Sequence, residues 1–247
     1  MSRTSPPPSK TKKTITVLRT GEPVPWVLER RGQFHDLIAA SIGPAFTGDY
    51  EVIDVRSEPF PDPRGTSAFV ITGSASNVPT REPWMLRTEA FLRDVVAAGT
   101  PTFGICFGHQ ILAQALGGEV HKNPRGREIG TLRIERIERA IDDPILDGIP
   151  PVFEANVTHL DSVARLPEGA VSLARSSLED HHAIRFSERC YGVQFHPEID
   201  AEVMRAYVES RQTTLRDEGF SVEQMLAAIH DGEEGRRALR NFVARFL

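Results

Sequence analysis

From Thr14 onward, short β-branched or apolar runs alternate with stretches whose apolar positions recur every three or four residues, the pattern of a sheet assembled from βαβ units. Thr14–Leu18 reads as the first strand. Residues 28–42 read as one helix, with Leu37, Ile38 and Ile42 on a common face and Gly43-Pro44 as its stop. Tyr50–Val55 and Ser67–Thr72 are the next strands, the second nearly all apolar or small, as a strand covered on both faces would be. Trp84–Ala98 is a helix entered through Pro83 and ended by Gly99, and Pro101–Ile105 is a short strand after it.

Beyond that point the pattern changes. Glu119–Val120, Gly130–Ile137, Val152–Val157, Ala170–Ala174, Ala183–Phe186 and Tyr191–Phe195 are short strand-like runs divided by turn residues, which predicts an antiparallel or mixed part of the sheet. Helices return at the end. Val203, Met204, Tyr207 and Val208 share one face, Ser221 and Gln224 form a capping box, and Ala238, Leu239, Phe242, Val243 and Phe246 make an apolar stripe. These stripes read as core packing. The expected fold is a single α/β domain of three layers around a central mixed, mostly parallel sheet. Residues 14–199 form the domain, and residues 200–247 add helices that pack on it or serve self-association.

Composition narrows the function. With 40% hydrophobic and 26% charged residues the chain is globular rather than disordered or fibrous. The formal net charge is −5, and Arg3, Lys10, Lys12 and Lys13 sit in the first thirteen residues, so the remainder is more acidic still. Nucleic-acid binding wants clustered Lys and Arg on a folded face, and no such cluster is present. No apolar run approaches the roughly 20 residues that span a bilayer. Cys106 and Cys190 make no disulfide framework, so a reducing, cytoplasmic setting is expected. Residues 1–13, rich in Pro, Ser and Lys, read as a mobile tail.

The chemistry concentrates in Thr102–Gly117, TFGICFGHQILAQALG. A strand ends at Ile105, Cys106 stands between Gly104 and Gly108, and an amphipathic helix begins at once. This is the G-x-nucleophile-x-G elbow, in which the turn from strand to helix is too tight for side chains two before and two after the nucleophile. The helix N-terminus then favours a thiolate on Cys106. A thiolate nucleophile needs a general base and a group that orients it. Tyr191–Glu198, YGVQFHPE, offers both: His196 at a strand end, Pro197 to stop the strand, and Glu198 two residues on to accept a hydrogen bond from the ring.

Gly104–Gln110 together with Tyr191–Glu198 resembles the class I glutamine amidotransferase family in motif, order and separation of about ninety residues. The resemblance implies a flavodoxin-like fold. It also implies that Cys106 attacks the side-chain amide of glutamine to form a γ-glutamyl thioester, that His196 protonates the departing ammonia and that Glu198 orients His196. By the same resemblance, the N–H groups of Gly73 and Phe107 form an oxyanion hole and Gln110 contacts substrate. Thr158, His159 and Asp161, in T-H-L-D-S-V, lie in a segment that contributes backbone contacts to the glutamyl portion. Arg127-Glu128-Ile129-Gly130 is similar to the family's R-E-x-G loop at the edge of the site, although a solvated turn explains those residues equally well. The chain departs from the family where two consecutive glycines usually stand near Gly73: Thr72 takes the first place.

A metal site drawn from His159, Asp161, His181 and His182 is not expected, because no H-x-x-x-H or C-x-x-C spacing supports it. No cofactor is expected either. The chain shows no G-x-x-x-x-G-K-[ST] motif and no S-G-G-x-D-S-like loop for an ATP-dependent step. Ammonia would then pass to a synthetase partner. The alternatives are a stand-alone γ-glutamyl peptidase or hydrolase acting on γ-glutamyl compounds, and a non-catalytic regulatory module that keeps the fold.

Overall fold

The computed structural model describes residues 12–138 and 142–247; most of the tail expected at 1–13 lies outside the described residues. Chain order runs β1 (Thr14–Arg19), α1 (Pro25–Arg31), α2 (Phe34–Ile42), β2 (Asp49–Asp54), β3 (Ala68–Ile71), α3 (Pro83–Ala98), β4 (Thr102–Ile105) and α4 (Phe107–Ala115). It continues through β5 (Glu119–Lys122), β6 (Glu128–Arg136), β7 (Val152–His159), β8 (Asp161–Arg165), β9 (Val171–Arg175), β10 (Ala183–Ser187) and β11 (Cys190–Val193). The helices α5 (Ala201–Ser210), α6 (Gln212–Asp217), α7 (Val222–Ala228) and α8 (Glu233–Phe246) close the chain.

Among the described residues the main sheet has the order β2-β1-β3-β4-β11-β10-β9-β6-β7. Its first five strands are parallel and the rest antiparallel. The mixed, mostly parallel α/β architecture read from the sequence is therefore the observed one. Successive side chains of a strand point to opposite faces. Val17, Val70, Phe103 and Val193 accordingly join α2 and α8 on one side, while Leu18, Phe69 and Ile71 join α3 and α4 on the other. The stripe on α8 is buried as expected, with Phe242 5.1 Å from Phe103 between ring centroids. A third apolar cluster links Val27 and Phe34 to Val203, Tyr207 and Leu215, tying α1 and α2 to the C-terminal helices.

Two local expectations are corrected. Residues 28–42 are not one helix: Gly32 takes φ +84° and separates α1 from α2, and the chain restarts with the Gln33 N–H on Asp36 Oδ2 at 2.8 Å. Periodicity alone carried the pattern across a break made by one glycine. Residues 161–165, which the hydrophobic pattern left without an element, form β8, which pairs with β5 as a separate antiparallel ribbon. Asp161, Ser162 and Val163 are buried there while Ala164 and Arg165 are exposed, so no apolar alternation advertised the strand.

Candidate active site

Cys106 follows β4 and precedes α4 with φ 51° and ψ −102°, one of two non-glycine residues with positive φ among the described residues. Such a conformation strains an L residue and persists only where the surroundings impose it. They do so here. A Cβ on Gly104 would lie 2.5 Å from the carbonyl oxygen of Gly108, so strand and first helical turn touch backbone to backbone. Cys106 N–H is held by Val193 O at 2.8 Å, and Cys106 O accepts the Gln110 N–H at 3.0 Å. The side chain ends buried at the C-terminal edge of the parallel strands, where ligands of open α/β sheets bind.

The neighbouring strand β11 delivers His196. Its N–H donates to Asn156 O at 2.8 Å, Pro197 O accepts from the Ser41 hydroxyl at 2.7 Å, and the Ile199 N–H returns to His196 O at 3.3 Å. That turn folds Glu198 back, and His196 Nδ1 lies 2.8 Å from Glu198 Oε1, both side chains almost wholly excluded from solvent. Burial disfavours an imidazolium. The Glu198 carboxylate and the Cys106 sulfur outweigh burial, and the His196 pKa is pushed up to about 10. His196 Nε2 has no hydrogen-bond partner among the described residues, yet Cys106 is near enough to favour the charged ring.

Gly73 stands against this ring. A Cβ there would meet His196 Cε1 at 3.1 Å. The departure at Thr72 acquires a local role: the hydroxyls of Thr20 and Thr72 lie 2.9 and 3.0 Å from Gly73 O, and Thr72 Oγ1 accepts the Thr20 N–H at 3.0 Å. These contacts hold the loop after β3 while the Gly73 N–H takes no acceptor among the described residues, nor does that of Phe107 at the start of α4.

The other expected residues gather around Cys106. Thr158 O is 3.9 Å from Cys106 Sγ. Gln110 is buried, and its amide nitrogen is used inside the protein, on Asp161 O at 2.7 Å and Gln194 Oε1 at 2.9 Å. Asp161 Oδ2 is buried without a partner, and burial pushes that carboxyl up. His159 turns inward. With His182 it converges on Glu128 Oε2, at 3.3 and 3.0 Å, while Ser176 Oγ donates to Glu128 Oε1 at 2.5 Å. Glu128 is thus a buried anion behind the site, not part of a solvated turn. His181 turns elsewhere, placing Nδ1 2.9 Å from Ser172 Oγ.

Two contributors were not among the residues expected from the sequence. Gln194 Nε2 donates to Cys106 Sγ at 3.5 Å. In the sequence Gln194 is only a polar residue between Val193 and Phe195; the structure buries it fully. Arg211, just after α5, bonds the Thr158 hydroxyl and lies 5.1 Å over the Tyr207 ring; no spacing in the sequence points to it.

Two recesses meet at Cys106, Ser74, Ala75, Thr158 and Arg211. One, of about 260 Å³, is strongly polar and adds Gln110, Arg127, His159 and Asp161. The other, of about 250 Å³, adds His196 and the apolar residues Pro23, Val24, Pro25, Phe34 and Tyr207.

Residues 67–212 match the family model for class I glutamine amidotransferase. The chain is 34% identical over 179 residues to a glutamine-hydrolysing GMP synthase of Aeropyrum pernix, covering 70% of this chain and 32% of that one. It is 45% identical over 100 residues to one subunit of the glutamine-hydrolysing GMP synthase of Methanosarcina acetivorans, covering 40% and 51%. The chain therefore spans about a third to a half of these relatives. In fold it is similar to a glutamine amidotransferase of Thermotoga maritima, with a TM-score of 0.75 at 21% identity over 95% of this chain and 98% of that one. A glutamine amidotransferase of Methylobacillus flagellatus gives 0.71 at 24% identity over 95% and 93%. With more than half its length matched by the family model, this chain belongs to the class I glutamine amidotransferase family.

Proposed function

We propose that the chain hydrolyses the γ-amide of glutamine through Cys106, His196 and Glu198. One observation carries this reading: a strained, buried Cys106 faces an imidazole that is held on a buried carboxylate and kept charged at neutral pH. A thiolate beside an imidazolium is the pairing a sulfur nucleophile needs. In the polar recess, Asp161 and Arg211 offer opposite charges to the α-ammonium and α-carboxylate of the substrate. Cys106 Sγ attacks the γ-carbonyl, and the N–H groups of Gly73 and Phe107 receive the oxyanion. His196 gives its Nε2 proton to the nitrogen as the C–N bond breaks. Water then attacks the thioester, leaving its proton on His196 and glutamate in the site.

The match to one subunit of a multi-chain relative supports a synthetase partner that accepts the ammonia. The free thiol supports a reducing, cytoplasmic setting. The packing of α8 against the main sheet supports one functional unit reaching to residue 247. The test is release of glutamate and ammonia from glutamine, with Cys106→Ala as control. Turnover that vanishes in the variant is expected; equal turnover in both would end the reading.

A further inference from the structure

The apolar recess has no task in hydrolysis of a primary amide. Ammonia is a single heavy atom, whereas about 250 Å³ holds on the order of eight water-sized groups. The recess lies on the His196 side of Cys106, and the polar recess on the Gln110 and Phe107 side. With the glutamyl portion in the polar recess, the departing nitrogen takes its proton from His196 and faces the apolar one. Any substituent on that nitrogen would rest against Pro23, Val24, Phe34 and Tyr207. Of the polar groups at its rim, Glu22 is tied to Arg56 at 2.7 Å, and Arg211 is bonded to Thr158 and stacked on Tyr207.

We infer that the recess is a leaving-amine subsite, and that the chain cleaves γ-glutamyl secondary amides whose amine bears an apolar group of up to about eight heavy atoms. This rests on the γ-glutamyl thioester reading above and names its substrate class. Cys106 Sγ bonds the γ-carbon, the C–N bond breaks, and the nitrogen with one proton from His196 leaves as a free amine. Water then cleaves the thioester to glutamate.

The test compares three substrates with the full chain: glutamine, γ-L-glutamyl benzylamide and γ-L-glutamyl-1,4-diaminobutane, whose amine side is cationic. The benzylamide should exceed the cationic amide in kcat/KM by about 10-fold or more. Val24→Trp, which fills the recess, should lower the ratio of benzylamide to glutamine turnover by a similar factor. The wild-type comparison stands on its own if that variant does not fold. Equal turnover of the two secondary amides, or no cleavage of the benzylamide beside active glutamine hydrolysis, would overturn the inference and leave the glutaminase reading intact. If neither glutamine nor the amides are cleaved and Cys106 takes no reactive glutamine analogue, both fall.

Discussion

Gly73 leaves room for His196: a methyl group on residue 73 would sit 3.1 Å from Cε1 of the ring, inside normal contact distance. The glycine is needed for close approach, since its φ is not among the positive ones. Gly73→Ala should therefore displace the imidazole rather than unfold the loop, which the Thr20 and Thr72 hydroxyls continue to brace. A shift of several tenths of an ångström at a proton-transferring group should lower kcat by about 10²-fold, with KM and thermal stability little changed. Steady-state kinetics beside a thermal melt checks this.

The same ring predicts a pH signature. His196 has its pKa raised to about 10, against an ordinary value of about 6.5. Its contribution to stability is then fully present below about pH 6.5 and is lost as pH rises through about 10. The difference in melting temperature between wild type and His196→Gln should be largest at or below about pH 6.5, shrink as pH rises from there and be lost above about pH 10. Glu198→Gln removes the carboxylate that favours the charged ring, so the NMR titration of His196 should move downward and kcat should fall by about 10²-fold or more.

Glu128 tests the buried network behind the polar recess. Burial opposes its charge, but His159 and His182 outweigh burial and hold the carboxyl well below the usual range. Its stabilisation is present above the ordinary carboxylate pKa and is lost as acid protonates it. Glu128→Gln removes the acceptor on which the buried His159, His182 and Ser176 side chains converge, which typically costs about 1–3 kcal/mol. For a chain of this size that is a drop in melting temperature of about 5 °C, measurable by calorimetry.

Arg211 should act on binding. It is the cation common to both recesses, and Arg127 is engaged by Glu218 at 2.8 and 3.0 Å. Arg211→Ala should raise KM for glutamine by about 10–100-fold and change kcat less, in line with loss of a charged hydrogen bond. Initial-rate kinetics separates the two parameters.

The elbow was legible in the sequence because Gly104 and Gly108 flank Cys106 in one short motif, although only Gly104 answers to the local turn, against the Gly108 backbone, while Gly108 leaves room for Ile71 on β3. His196 and Glu198 were legible because both lie in one short motif, in the turn that follows β11. Gln194 and Arg211 were not, since their roles come from tertiary proximity to Cys106 and Thr158, which neither periodicity nor charge marks. The expected helix over 28–42 failed for the converse reason: Gly32 breaks the backbone while the apolar spacing runs on. Of the ribbon, β5 was read in part, at Glu119–Val120, whereas β8 carried no alternation strong enough to be read.

The central claim is that Cys106 is the nucleophile. Cys190 provides an internal contrast, because it is fully buried and burial pushes its thiol up. Mass spectrometry after incubation with 6-diazo-5-oxo-L-norleucine, an electrophilic glutamine analogue, tests the claim most directly. One covalent adduct on the peptide holding Cys106, protected by excess glutamine and absent from Cys106→Ala, is the expected result. An unmodified Cys106, or an adduct that persists in Cys106→Ala, would contradict it.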